Sequence, residues 1–179
     1  MQTTTLGWMV LALALAPWPP LLARVGETVR QSEARYGSGQ ELEEPGDLIL
    51  KRAPNTVYHH GDWIITAAFL NGAAVRLRYE RVGAQQPRAQ LTREDVAEIL
   101  EAEDAAGWSV YNEETRQAGK AYTGKTHPPP VLRSVSGLTA RYKVFSVTVE
   151  REEASRHEKG PPQRTLRPGR APRGKRVAL

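Results

Sequence analysis

Residues 57–79 read Val57-Tyr58-His59-His60-Gly61-Asp62-Trp63-Ile64-Ile65-Thr66-Ala67-Ala68-Phe69-Leu70-Asn71-Gly72-Ala73-Ala74-Val75-Arg76-Leu77-Arg78-Tyr79, and the fold class turns on this run. Three segments rich in β-branched and aromatic residues are separated by Gly61-Asp62 and Asn71-Gly72, both tight-turn signals, which predicts an antiparallel meander. Its register follows from which side chains must share a face. A two-residue Asn71-Gly72 turn pairs Leu70 with Ala73 and sets Trp63, Ile65 and Phe69 on the face of Arg76 and Arg78. A three-residue loop, Leu70 to Gly72 with Gly72 left-handed, pairs Phe69 with Ala73 instead. That loop gathers Trp63, Ile65, Ala67 and Phe69 with Ala73, Val75, Leu77 and Tyr79. Because a slip of one residue turns the apolar set outward, the bulged loop is the expected one.

Upstream, Thr28 and Gln31 have the spacing of a capping box, Val29 and Tyr36 share a helical face, and Gly37 suits a helix stop, so a helix is expected over 28–36. Residues 38–45 read as polar connection, and Leu48-Ile49-Leu50 as a brief strand. Downstream, Thr92 is a cap with Asp95 three residues on. Leu91 can staple to Val96, and Ile99 and Leu100 continue the apolar stripe, giving a second helix to about Ala105 that ends at Gly107. Trp108–Tyr111, Ala121–Thr123, Val131-Leu132 and Ala140–Glu150 follow as strands. In the last of these, Phe145, Val147 and Val149 alternate with Ser146 and Thr148. The expected architecture is α+β over residues 24–152: two short helices packed on antiparallel β-meanders, in the order helix, three strands, helix, three or four strands. The alternative is two αβββ halves, 24–84 and 90–152.

The two ends differ from this body. Residues 2–23 carry no charged side chain, and Leu6–Ala16 is an unbroken apolar run followed by Pro17, Pro19 and Pro20. The run has the length of a signal-peptide core, about 7–15 residues, and falls short of the roughly 20 that span a bilayer. A secreted or periplasmic protein is expected; the alternative is an uncleaved membrane anchor through residues 6–16. No cysteine is present, so disulfides and acylation of an N-terminal cysteine are excluded.

The net charge of +5 belongs to the C-terminus. Residues 160–179 hold six cations (Arg164, Arg167, Arg170, Arg173, Lys175 and Arg176) and no acid, whereas residues 1–159 hold 19 basic against 20 acidic side chains. With four prolines, three glycines and few aliphatics, residues 153–179 read as a disordered basic tail. Five of the arginines recur every third residue, the repeat of a polyproline II helix, which would line them on one edge. Such an arm suits a polyanion, whether nucleic acid, anionic lipid or an acidic envelope polymer. The lack of interleaved aromatics gives no base-stacking platform, so no specific nucleic-acid partner is expected.

Arg24-Val25-Gly26-Glu27-Thr28, Ala34-Arg35-Tyr36-Gly37, Phe69-Leu70-Asn71-Gly72-Ala73 and the helix over 91–101 together resemble a group of small exported bacterial proteins of unknown function. More distantly, the Gly-x-Thr helix followed by a three-strand meander with Phe-x-Asn-Gly is similar to the SmpA/OmlA (BamE-like) outer-membrane lipoprotein fold, over residues 24–105. The resemblance implies a non-catalytic envelope or secreted module. The lipoproteins' acylated cysteine is missing here, so their anchoring and assembly role do not carry over.

Gly119-Lys120-Ala121-Tyr122-Thr123-Gly124-Lys125-Thr126 matches the P-loop pattern letter for letter. That chemistry needs a hydrophobic strand leading in and a helix starting at the lysine. Here the lead-in, Asn112–Gln117, is polar, and His127-Pro128-Pro129-Pro130 follows, which a helix interior does not accept. Gly119, Gly124, Lys125 and Thr126 are therefore read as a chance match, with no nucleotide or other cofactor. Of the four histidines, His59 and His60 are adjacent on a strand and point to opposite faces, while His127 and His157 lie far off, so no metal site is expected. Glu94, Asp95, Glu98, Glu101 and Asp104 read as the solvated face of the second helix. Ser134, Ser136 and Ser146 have no nucleophile setting, and no catalytic residue is assigned. Trp63, Phe69 and Tyr79 read as core, and Trp108 as a cap on the core beside Leu100. The expected partner is an unidentified protein or envelope polymer, with polyanion contact through the tail, and a membrane only if the N-terminal segment is retained.

Overall fold

A computed structural model describes residues 24–84, 87–125 and 127–160. The leader segment, including residues 6–16, and the tail cations Arg164, Arg167, Arg170, Arg173, Lys175 and Arg176 lie outside the described residues.

The chain runs α1 (Val29–Tyr36), β1 (Gln40–Glu41), β2 (Asn55–His60), β3 (Trp63–Leu70), β4 (Ala73–Arg81), α2 (Arg93–Glu103), β5 (Trp108–Asn112), β6 (Gln117–Tyr122), β7 (Val131–Ser134), β8 (Thr139–Lys143), β9 (Ser146–Glu150) and α3 (Glu152–Lys159). All nine strands form one antiparallel sheet in the order β1-β2-β3-β4-β9-β8-β7-β5-β6. This corrects the expected two helices on β-meanders. β4 pairs with β9, joining the two strand runs into a single sheet, and a third helix follows. The physical reason is in the pattern. Leu77 and Tyr79 on β4 stand opposite Val149 and Val147 on β9, so one lateral pairing buries both apolar sets on the same side.

The β3–β4 hairpin keeps the expected face only in part: Trp63, Ile65, Ala67, Phe69, Leu77 and Tyr79 share it, but Ala74 stands there in place of the expected Ala73 and Val75. Asn71 (φ 51°) and Gly72 (φ 80°) form a two-residue turn with both φ positive, so Leu70 pairs with Ala73 and Phe69 with Ala74. A one-residue shift at Ala68/Phe69 then skips Val75, after which Ala67 meets Leu77 and Ile65 meets Tyr79. The extra residue sits in β4, not in the loop. Phe69 and Ala74 join the main core, whereas Val75 packs on the opposite side with Leu50, Ala68 and Ala154.

Both helix caps form as the spacing requires. Thr28 exchanges bonds with Gln31, and Thr92 with Asp95, so the first-turn amides of α1 and α2 are satisfied. The helices seat Tyr36, Val96, Ile99 and Leu100 against Tyr58, Ile65, Leu77, Tyr79, Val147 and Leu132 on one sheet face. Trp108 is buried and its indole N–H donates to the Leu100 carbonyl (2.8 Å).

Other segments depart from expectation. Leu48-Ile49-Leu50 is not a strand but a bend tied down by the buried Asn55. The Asn55 side-chain oxygen accepts from the amides of Ile49 (2.9 Å) and Leu50 (3.2 Å), and its NH2 donates to the carbonyls of Leu50 and Ala53. Residues 140–150 are not one strand. They fold back at Val144-Phe145 into the β8–β9 hairpin, where both side chains are exposed. The polar stretch 112–117 closes the β5–β6 hairpin, with the Asn112 side chain accepting from Glu114 and Thr115 amides. Residues 153–159, assigned by composition to the tail, form α3, which carries acids in its first turn and Arg156, His157 and Lys159 in its last, as the helix dipole favours.

Candidate anion-binding face

The helices α1 and α2 cover one side of the sheet. The other side is covered only at one end, where the bend at 48–50 and Ala154 of α3 pack over Ala68 and Val75. Strand alternation fixes what the open side presents. With Leu77, Tyr79, Val147, Val149, Ala140 and Tyr142 turned to the core side, Arg76, Arg78, Glu80, Thr148, Glu150, Arg141, Lys143 and Arg133 must turn the other way.

At the centre lies Glu150, 2% exposed. One of its carboxylate oxygens accepts from Arg76 Nε (2.6 Å), and the other from Arg141 Nη1 and Ser155 Oγ (2.9 Å). Arg76 also donates to the Ile49 carbonyl (2.6 Å) and to Glu158 (3.0 Å). This guanidinium therefore joins the bend, the sheet and α3. A buried carboxylate with two guanidinium partners has the satisfied donors and acceptors that burial of charge demands.

Around this core the face forms three contiguous shallow hollows of about 430, 660 and 440 Å³. The first and second share Arg76, Lys143 and Thr148; the first and third share Arg141, Ser155 and Lys159. Together they are lined by eight cationic side chains (Arg76, Arg78, Arg88, Arg116, Arg133, Arg141, Lys143 and Lys159) against five carboxylates (Glu80, Glu113, Glu150, Glu152 and Glu158). The surplus is local. Arg76 and Arg141 are neutralised by Glu150, Glu158 and Glu113, and Arg78 and Arg88 flank Glu80 at 3.4 and 3.0 Å. Lys143, Lys159 and Arg116 have no ion pair among the described residues, and Arg133 stacks on Tyr111 (5.7 Å) and donates to Thr139. A concave surface with unneutralised cations over a rigid sheet focuses a positive field outward.

A separate polar cluster lies on the covered side. Glu103 accepts from the Val25 amide (2.9 Å) and from the Tyr79 hydroxyl (2.6 Å). Desolvation pushes its carboxyl up to about 7, against the lowering effect of those two hydrogen bonds, with the nearby Glu27 adding to the rise. The same desolvation raises the Tyr79 and Tyr36 hydroxyls.

The residues singled out by motif do not converge. Gly119 lies within the edge strand β6, and no helix starts at Lys125, whose carbonyl accepts from Arg93 (3.1 Å); Thr126 is outside the described residues. The lysine and its second glycine thus follow a strand and do not open a helix. His60 packs edge-on to Tyr36 (5.5 Å), His127 edge-on to Tyr142 (5.3 Å), and His157 sits on α3. Among the described residues, no group of three or more His, Cys, Asp or Glu could hold a metal ion. Of the acidic residues on α2, Glu94, Glu98 and Glu101 are exposed. Asp95 is buried, capping Thr92 and pairing with Arg81 (2.9 Å), and Asp104 accepts from the amides of Ser136 and Ala106. Ser134 and Ser136 hydrogen-bond each other and close the turn after β7.

Motif reading missed the face because it belongs to no motif. Its signal was the alternation Arg76-Leu77-Arg78-Tyr79-Glu80, which places charge on every second residue of a central strand. No family model, no curated protein and no solved structure matches this chain. Among the described residues, no helix is long and apolar enough to cross a membrane.

Proposed function

We propose that this is an exported, non-catalytic binding module of the cell envelope that takes a polyanionic ligand on its open sheet face. The observation that carries the reading is the positive charge of Lys143, Lys159 and Arg116, none of them in an ion pair among the described residues, around hollows walled by the open sheet face and α3. Export rests on the uncharged, proline-ended leader at residues 2–23, and the envelope role on the lipoprotein resemblance of residues 24–105. A second reading places the binding in the tail, because residues 160–179 hold six cations and no acid.

Titration of the full chain with heparin at several salt concentrations separates the two. Each cation that contacts a polyanion contributes a slope of order one to log K against log salt. If the face binds, K143Q/K159Q lowers the slope by about two and truncation after Gly160 leaves binding in place. If the tail binds, the truncation abolishes it and the double substitution changes little. No salt-dependent binding by the full chain would overturn both.

A further inference from the structure

Half of the exposed large apolar side chains among the described residues gather at one end of the sheet. Val82, Val144 and Phe145 are each 45–46% exposed, whereas Val29, Val110 and Val135 lie apart from them. β4 and the β8–β9 turn meet at this end through residues 89–91: Ala89 bridges to Arg81, and the Leu91 amide donates to the Val144 carbonyl (3.0 Å). Val144 and Phe145 form the tip of the β8–β9 hairpin at the end of the sheet, each about half exposed. On the open-face side they line the same hollow as Leu48, Arg78, Arg88 and Lys143. Lys143 is the tip's immediate neighbour and has no ion pair among the described residues.

A polyphosphate has no apolar group to set against the tip, and a sugar ring stacks on the phenyl group but gains little from the valine beside it. An anionic bilayer surface has both of the complementary chemistries: headgroup charge for the cations and an acyl boundary for the apolar tip. Either contribution alone gives weak, reversible attachment, and stable peripheral docking takes two signals. We infer that the Val144-Phe145 tip, flanked by Lys143 and the cationic sheet face, docks the protein on anionic lipid. This deepens the polyanion reading of the same face and rests on it. Docking this way leans the open face toward the membrane at the hairpin end, with the tip in the headgroup layer and Lys143 among the lipid phosphates.

The test is co-sedimentation of the full chain with vesicles of phosphatidylcholine, with and without phosphatidylglycerol, alongside heparin binding. Wild type is expected to bind the anionic vesicles only, and less as salt rises. V144S/F145S is expected to lose about tenfold or more in vesicle affinity while keeping its heparin affinity and melting temperature. K143E, a change of two charges at the surface, is expected to weaken vesicle binding about thirtyfold. The inference is overturned if V144S/F145S or K143E binds vesicles as wild type does, or if neutral vesicles bind equally well, as insertion of the leader alone would produce. Heparin binding without vesicle binding overturns it too, yet leaves the polyanion reading standing; loss of both removes the two together.

Discussion

Glu103 contributes a dependence on pH opposite in sign to that of the lowered carboxyls Glu94, Asp104 and Glu152. Its carboxyl is held at about 7 in the folded chain against an ordinary 4.5. Between these two values the native state keeps a proton that the unfolded chain has released, so stability falls as pH rises through that window. Below about pH 4.5 the contribution is complete; above about 7 it is gone. At 1.36 kcal/mol per pKa unit the swing is at most about 3 kcal/mol, and partial exposure of the residue at the cleft beside Gly137 reduces it. The perturbation is Glu103→Gln, which has nearly the same shape and leaves an oxygen for the Val25 amide, but does not titrate. Urea unfolding of both proteins at intervals from pH 4.5 to 8 yields a difference curve in which all other titrating groups cancel. The variant should gain on wild type as pH rises, level above about 7, and end the more stable of the two. A flat difference curve would refute the argument and place Glu103 in ordinary contact with water.

Glu150→Ala strands two guanidinium groups, one of them on the buried Arg76, and should cost about 3–5 kcal/mol in urea unfolding; R76M/E150L should recover most of that loss, and a single substitution without effect would show the cluster to be water-exposed. Asn55→Ala leaves the amides of Ile49 and Leu50 without their acceptor. A loss of about 2–4 kcal/mol is expected, with hydrogen exchange speeding up at residues 48–53 before the rest of the sheet; uniform exchange would deny that Asn55 organises the bend.

Local rules carried the sequence reading a long way. Thr28/Gln31 and Thr92/Asp95 act within one helical turn, so their capping partners are visible from spacing alone, and the structure forms both. The inward face of β3 was legible for a similar reason: the largest side chains, Trp63, Ile65 and Phe69, fall on one parity, although Val75 of β4 was assigned to the wrong side. The position of the bulge was not, since a one-residue insertion at Val75 and a longer loop at Leu70 restore the same parity. Long-range pairing was hidden altogether. Nothing near Leu77 says that Val149 will lie beside it, and that single adjacency turns two meanders into one sheet. The same blindness concealed the candidate site. Arg141 and Glu150 share the β8–β9 hairpin, but Arg76 is 74 residues from Glu150, and only strand order brings it to that carboxylate. The P-loop letters, by contrast, are contiguous and visible, yet residues 119–122 lie on an edge strand and no helix starts at Lys125.

The pairing of Arg76 with Glu150 also has a consequence for how the chain comes to its final shape. Until the last strand arrives, β4 has no neighbour on one side, and the hairpin it belongs to ends in an open row of amides and carbonyls. Closing so long a loop costs entropy before any contact rewards it, which makes this step slow relative to the local hairpins. A nascent chain therefore stays unfinished until its final strand has been synthesised, and a truncation that removes β9 would leave a sticky half-sheet, not a smaller version of the same protein.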